Sequence, residues 1–176
     1  MKLLIAVMYA DKETLDKAVI ELKKSFGDID NESAEYDFNF TTYYEKEMGK
    51  NLKKKFLSFA KTITNEELAK IRIETGKIED SFRINNKRTI NIDPGYISEE
   101  GVFMASLKHR PFKTEIGKGI FLHKILGFDD DKIIEFNHTF ADYKHDKIKE
   151  FFVKINHSSS ASSAADKSAS TDCPGS

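Results

Sequence analysis

The sequence predicts an α+β fold in which a mixed, largely antiparallel sheet packs against three to four amphipathic helices. Apolar residues make up 39% of the 176-residue chain, which is enough for a packed core. Strand patterns cluster in the second half instead of alternating with helices, and this order favours α+β over a doubly wound α/β fold. We expect residues 1–156 to form a single domain.

The first predicted unit is a strand, a tight turn and a helix. The apolar run Leu3–Tyr9 is continuous, so this strand is expected at the centre of the sheet with both faces covered. Asp11 is a suitable N-cap for the helix that follows, and Gly27 stands where that helix should end.

One strand and two helices are predicted next. Residues 35–41 alternate with period two, as a half-buried strand does. Apolar residues at helical spacing predict a helix over 42–60. Thr64 and Glu67 match a capping box, which predicts a further helix that reaches Phe82.

The second half is predicted to consist mainly of strands. Residues 88–92 alternate, and the Asp-Pro-Gly-Tyr sequence at 93–96 is typical of a turn. A last helix is expected over 145–155, with its apolar residues on one face. Between them, strands are predicted at 101–107, 111–116, 120–126 and 133–136, with a hairpin loop at 127–131.

Charge and cysteine content exclude several classes of protein. The chain has 28 basic and 29 acidic residues, which argues against bulk nucleic-acid binding. No apolar run is long enough to span a membrane, and no cleavage site for a signal peptide follows the first strand. The single cysteine, Cys173, excludes an intramolecular disulfide scaffold, so we expect a cytoplasmic protein. Residues 157–176 are rich in Ser and Ala, which predicts a disordered tail or sequence foreign to the domain.

Polar residues at predicted strand ends suggest a binding site for a small anionic ligand, such as a nucleotide or a phosphorylated metabolite. The site would combine Asp93 with the cations Lys108, Arg110 and Lys118, the last of which stands between two glycines. Each signal also fits an ordinary turn or a solvated loop, and the argument rests on their clustering.

Aromatic and acidic neighbours extend this interpretation. Tyr43 or Tyr96 would stack on the ligand or hydrogen-bond to it. If the protein is an enzyme, Asp93 or Glu45 would be the general base and Lys118 would stabilise charge. The sequence leaves open whether it is an enzyme and which cofactor it would use.

Three other interpretations remain open. An RNA-associated module would use a basic helix over Lys50–Lys55 together with Tyr43 and Tyr44. A protein-interaction domain without a ligand would instead expose an apolar patch. The third is a metal site, but the spacing of its weak candidates matches no standard motif, so no metal is predicted. Those candidates are His138, Asp142 and His145, which His123 could join.

Four segments together resemble a prokaryotic family known as domain of unknown function 4416. They are 40–49, 90–97 and 117–120, followed by Thr139–Lys144, which is similar to the family's Tyr-Pro-Asp-Tyr-Arg ending. The resemblance implies no activity, because none is established for the family. The chain departs from the family pattern at Pro111 and at Phe121–His123, where relatives tend to have an aromatic and an acidic residue. The positions that the resemblance marks are Tyr43, Tyr44, Glu45, Asp93, Tyr96, Lys118, Asp142 and Tyr143.

Overall fold

A nine-stranded antiparallel sheet lies between two layers of helices. This computed structural model describes residues 1–130 and 132–168, with side chains as far as Ser158. The strands are β1 (Lys2–Tyr9), β2 (Ile29–Glu32), β3 (Tyr36–Asp37), β4 (Lys53–Thr62), β5 (Ile90–Ser98), β6 (Gly101–Ser106), β7 (Thr114–Gly117), β8 (Ile120–Asp129) and β9 (Lys132–Glu135). The helices are α1 (Lys12–Phe26), α2 (Glu45–Met48), α3 (Asn65–Ser81) and α4 (Asp146–Ser168), with a 3₁₀ helix at Ala141–Lys144.

The sheet has the order β2-β4-β1-β5-β6-β8-β7, and every neighbouring pair is antiparallel. The short strand β3 pairs with β4, and β9 pairs with β8. The predicted α+β class is therefore confirmed, with the sheet wholly antiparallel.

Side chains of β1 alternate between the two layers. Leu3, Ile5 and Val7 pack on the first face, where α1 and α3 lie. Leu4 and Ala6 pack on the second face against α4 and the 3₁₀ helix. The continuous apolar run at the start of the sequence is thus a central strand buried on both sides, as predicted.

Both long helices on the first face begin at the predicted caps. The Asp11 carboxylate accepts a hydrogen bond from the Thr14 N–H at 2.9 Å, and α1 ends at Gly27, which has a φ of 92°. Thr64 and Glu67 form the complete capping box of α3. Local sequence determines these ends because the capping partners lie within one helical turn.

The prediction of a helix over 42–60 is wrong. Only the single turn α2 is helical there, and residues from Lys53 onward form β4 between β1 and β2. Phe56 and Phe59 point to opposite faces of the sheet and enter different cores. A strand buried on both sides produces a nearly continuous apolar run, and such a run can imitate helical spacing. The strand predicted at 35–41 shrinks to the two residues of β3.

The predicted turn at Asp93–Tyr96 is also wrong, because these residues lie within β5. The N–H of Ile92 points away from β1 and donates to the Glu79 carboxylate at 2.5 Å. The backbone N–H groups of residues two apart point to the same side of a strand, so an N–H at position 94 would also point away from β1. Proline has no N–H, and its presence there therefore removes no hydrogen bond to β1. A Cβ on Gly95 would lie 2.1 Å from the carbonyl oxygen of Phe103, so β6 can approach only a glycine.

The C-terminal helix extends beyond its predicted end at residue 155. The predicted domain boundary at 157 falls inside α4, which is helical as far as Ser168. Residues 169–176, with Cys173, lie outside the described residues. Within the described residues, none of the helices is both long enough and apolar enough to cross a membrane.

Candidate functional site

One hydroxyl group organises the loop between β6 and β7. Ser106 Oγ accepts hydrogen bonds from the Lys108 N–H at 3.1 Å and from the Lys113 ammonium at 2.8 Å. The same ammonium donates to the Lys108 carbonyl at 3.2 Å, and the Lys113 N–H donates to the Arg110 carbonyl at 3.0 Å. The loop therefore gathers Lys108, Arg110 and Lys113, which we call the cation cluster.

The cation cluster has no acidic partner among the described residues. Within the part of the chain that the structure describes, none of its three side chains forms an ion pair. Burial, followed by the positive charges of Arg110 and Lys108, lowers the pKa of Lys113. Like charges held together repel one another, so an anion at this position would relieve that repulsion and form charge-assisted hydrogen bonds.

Two tyrosines join the cation cluster to Asp93. Lys108 Nζ lies 5.1 Å from the centroid of the Tyr43 ring, whose exposed edge faces solvent. Tyr43 meets Tyr44 edge to face, with the centroids 5.0 Å apart. Burial, and then the negative charge of Asp93, raises the pKa of Tyr44 to about 12. Asp93 lies opposite Ala6 in the register of β1 and β5, so its side chain is on the second face of the sheet.

A polar network orients the Asp93 carboxylate. Asn91 Nδ2 donates to Asp93 Oδ2 at 2.6 Å, and Asn91 Oδ1 accepts from the Arg88 guanidinium at 2.9 Å. Arg88 also donates to Glu47 at 2.8 Å, which ties α2 to the start of β5. The other carboxylate oxygen of Asp93 accepts no hydrogen bond from the described residues, so it remains available to a ligand.

Next to the cation cluster lies a group of rings that we call the aromatic–histidine cluster: Phe112, His123, Phe136, His138 and Phe140. His138 stacks on Phe112 with centroids 4.5 Å apart and an interplanar angle of 7°. His123 is 2% exposed, and its ring lies 5.0 to 5.2 Å from those of Phe112, His138 and Phe140. The Thr139 hydroxyl fixes this segment by donating to the carbonyl of Ile125 at 2.6 Å.

The predicted site residues divide into three groups. Lys108 contacts Tyr43, Arg110 lies in the same loop as Lys108, and Asp93 lies on the second face of the sheet. Tyr96 is buried on the first face and stacks on Phe103 at 4.7 Å, so it cannot share a pocket with Asp93. This separation follows from the strand that replaces the predicted turn, because positions 93 and 96 point to opposite faces.

The other two proposed catalytic residues form no side-chain hydrogen bond or ion pair with the described residues of this surface. Lys118 occupies the β7–β8 turn with a φ of 56°, exposed and without an ion pair to any described residue. The Glu45 carboxylate, on α2, forms no hydrogen bond or ion pair with the described residues. Both remain predictions as functional residues.

Each of the three weak metal candidates already has a contact within the protein. His138 Nε2 lies 3.0 Å from a β8 carbonyl, and Asp142 forms an ion pair with Lys54. His145 stacks on Tyr36 with centroids 6.5 Å apart. Across residues 1–130 and 132–168, no group of three or more His, Cys, Asp or Glu side chains could hold a metal ion.

The basic helix predicted over Lys50–Lys55 does not form. Lys53, Lys54 and Lys55 lie on β4, and each is neutralised by a carboxylate. Lys54 is buried, and the other two alternate with it along the strand. The RNA interpretation therefore loses the basic surface on which it depended.

Sequence reasoning did not identify Ser106, Phe112 or Lys113 as site residues. Lys113 was assigned to a strand at 111–116, although β7 begins only at Thr114. A signal was present, since Lys113 is the third cation within six residues. His123 was noted only as an additional metal candidate.

Comparison with known proteins supports the resemblance seen in the sequence. The family model described as domain of unknown function (DUF4416) matches residues 1–158. No curated protein and no solved structure matches the chain. Because the match covers most of its length, the chain belongs to the DUF4416 family.

Proposed function

We propose that the protein binds a small anionic ligand, a nucleotide or a phosphorylated metabolite, through the cation cluster. The observation that carries the proposal is that Lys108, Arg110 and Lys113 belong to one hydrogen-bonded loop and form no ion pair with a carboxylate of the described residues. Some surface lysines, such as Lys17 and Lys149, have such partners, and others have none, so it is the grouping of three unpaired cations in one loop that distinguishes this position. A phosphate group would supply the missing countercharge.

The neighbouring residues assign further roles. Asp93 lies on the second face of the sheet with one free carboxylate oxygen, suited to a ligand hydroxyl or to a general base. Tyr43 offers an exposed ring beside Lys108 for covering the ligand. The single cysteine accords with a reducing cytoplasm as the setting.

Titration calorimetry with ribose 5-phosphate and with pyrophosphate tests this function. Lys113→Met and Arg110→Met each remove one charge-assisted hydrogen bond, worth about 1.5–3 kcal/mol, so affinity should fall roughly ten- to a hundredfold. Lys61→Met is the matched control, because Lys61 is an exposed lysine at the far end of β4. The affinity of Lys118→Met shows whether the β7–β8 turn contributes to ligand binding.

Two results would contradict the proposal. One is that neither ribose 5-phosphate nor pyrophosphate binds to the parent protein at millimolar concentration. The other is equal affinity in the parent and in both cluster variants. Binding to the cluster should also weaken as salt concentration rises, because screening reduces the attraction between exposed charges.

A further inference from the structure

A buried nitrogen without a partner marks the centre of the aromatic–histidine cluster. His123 Nε2 is inaccessible to solvent and forms no hydrogen bond with any residue in the described part of the chain. The register places His123 opposite Met104, on the second face of the sheet. An unpaired buried polar atom costs about 1–3 kcal/mol, and most buried polar atoms in native proteins have partners.

The surroundings keep this imidazole neutral. Burial, followed by the charges of Lys113 and His138, lowers the pKa of His123 to about 4. A neutral imidazole has one N–H and one acceptor nitrogen, so Nε2 can donate or accept according to the tautomer. The atom is therefore suited to the ring N–H or ring nitrogen of a heteroaromatic ligand.

The rings around His123 provide stacking surfaces. Phe112, His138 and Phe136 form a nearly parallel stack, with centroid separations of 4.5 Å and 5.2 Å and interplanar angles of 7° and 12°. Phe112 and Phe140 are 47% and 50% exposed. The Phe112 ring is half exposed, lies in a loop and contacts the His123 ring at 5.1 Å, so its rotation would uncover part of the His123 imidazole.

The cluster lies beside the proposed anion site. Phe112 immediately precedes Lys113, whose ammonium binds Ser106 Oγ. Met104 is opposite His123 in the register of β6 and β8. Ser106 follows Met104 by two residues, so it lies about 7 Å further along β6. One ligand could therefore place an anionic group on the cations and a ring against His123.

We infer that the aromatic–histidine cluster binds the base of a nucleotide whose phosphate lies on the cation cluster. The inference rests on the proposed function and narrows its ligand class from any phosphorylated metabolite to nucleotides. Phe112 rotates outward, the base stacks on His138, and His123 Nε2 hydrogen-bonds to the base. Nucleobases have both a face for stacking and ring atoms for hydrogen bonding, whereas a sugar phosphate has neither an aromatic face nor a ring nitrogen.

The test compares the full chain's affinity for AMP, GMP, CMP and UMP with its affinity for ribose 5-phosphate, which lacks the base. At least one nucleotide should bind about tenfold more tightly than ribose 5-phosphate. His123→Leu keeps the volume and removes Nε2, so this preference should disappear while the affinity for ribose 5-phosphate stays unchanged. His123→Gln keeps a polar atom in this region and should restore part of the preference.

The outcomes separate the two proposals. If ribose 5-phosphate binds and no nucleotide binds more tightly, the base subsite is refuted and the anion site stands. If neither these five compounds nor pyrophosphate binds at millimolar concentration, both proposals fail. Retention of the full preference in His123→Leu also refutes the subsite. That variant should melt no lower than the parent, because it loses an unpaired buried atom. If it fails to fold, His138→Leu removes the ring on which the base stacks and should also reduce the preference for nucleotides, and an unchanged preference in that variant would refute the subsite.

Discussion

Removing either partner of the buried ion pair between Lys54 and Asp142 should strongly destabilise the protein. The ammonium of Lys54, on β4, lies 2.5 Å from Asp142 Oδ2 in the 3₁₀ helix. Their side chains are only 10% and 5% exposed. The pair thus holds the 3₁₀ helix to the sheet at a place where solvent cannot compensate for a lost charge.

The loss of stability in each single variant depends on the contacts that the remaining partner keeps. Lys54→Met leaves a buried carboxylate whose remaining hydrogen bond among the described residues is the one from the Tyr36 hydroxyl, at 3.4 Å. Loss of one partner of a buried pair costs about 3–5 kcal/mol, and we expect a loss of stability in that range.

Replacing Asp142 should cost less stability than replacing Lys54. In Asp142→Leu the ammonium keeps its contacts with three aromatic rings, whose centroids lie 4.9 to 5.5 Å from Nζ. Each such contact contributes about 0.5–1 kcal/mol, so we expect a loss of about 2–3 kcal/mol. The double variant Lys54→Met/Asp142→Leu places two apolar side chains among those rings and should lie within about 1 kcal/mol of the parent.

Urea denaturation followed by circular dichroism gives the four free energies of unfolding of this cycle. Lys53→Met is the matched control, because the Lys53 side chain is 43% exposed in its ion pair with Glu35, and its loss should cost under about 1 kcal/mol. The reasoning is refuted if the double variant loses as much as the two single variants together, since the pair would then contribute no coupling.

Three further predictions concern stability, each measured by urea denaturation. Burial is the main cause that raises the pKa of Glu79 to about 7, so the parent should lose up to about 3 kcal/mol as pH rises from about 4.5 to 7. Glu79→Gln should lack this dependence, and a constant difference from the parent across that range would contradict the explanation. Thr64→Ala removes the side-chain cap of α3 and should cost about 1 kcal/mol; an unchanged midpoint would show that the capping box contributes nothing. Gly95→Ala places a Cβ 2.1 Å from the Phe103 carbonyl oxygen and should cost about 3 kcal/mol or more. Gly76 lies within α3, where a new Cβ would have its nearest neighbour, an Arg72 side-chain nitrogen, at 3.8 Å, so Gly76→Ala should stabilise the protein by about 0.5–1 kcal/mol. Equal effects at the two glycines would contradict the argument from close approach.

The two faces of the sheet differ in what they offer a ligand. The first face is covered by α1 and α3 and forms the larger core, with Tyr96 in its interior. On the second face, α4 and the 3₁₀ helix cover one part, while the cation cluster and the aromatic–histidine cluster occupy another. Alternation along each strand therefore decides whether a polar residue can belong to the candidate site.

Local sequence patterns predict a helix or strand correctly where the residues that stabilise it are near one another in the sequence. The caps at Asp11 and Thr64 depend on residues three positions away, and the central position of β1 follows from its own apolar run. The four-residue α2 and the strand β4 could not be predicted in this way. The burial of Phe56 on one face and Phe59 on the other depends on strands and helices that pack from distant parts of the chain.

The candidate site shows the same division. The sequence alone determined the fold class, the family resemblance and the cation-rich segment that includes Lys108 and Arg110. Only the tertiary structure decided that Tyr43 contacts Lys108, that Tyr96 lies on the opposite face, and that His123 lies beside the cation cluster. The reason is physical: capping and alternation act over a few residues, whereas contacts across the sheet depend on register, which long-range pairing sets.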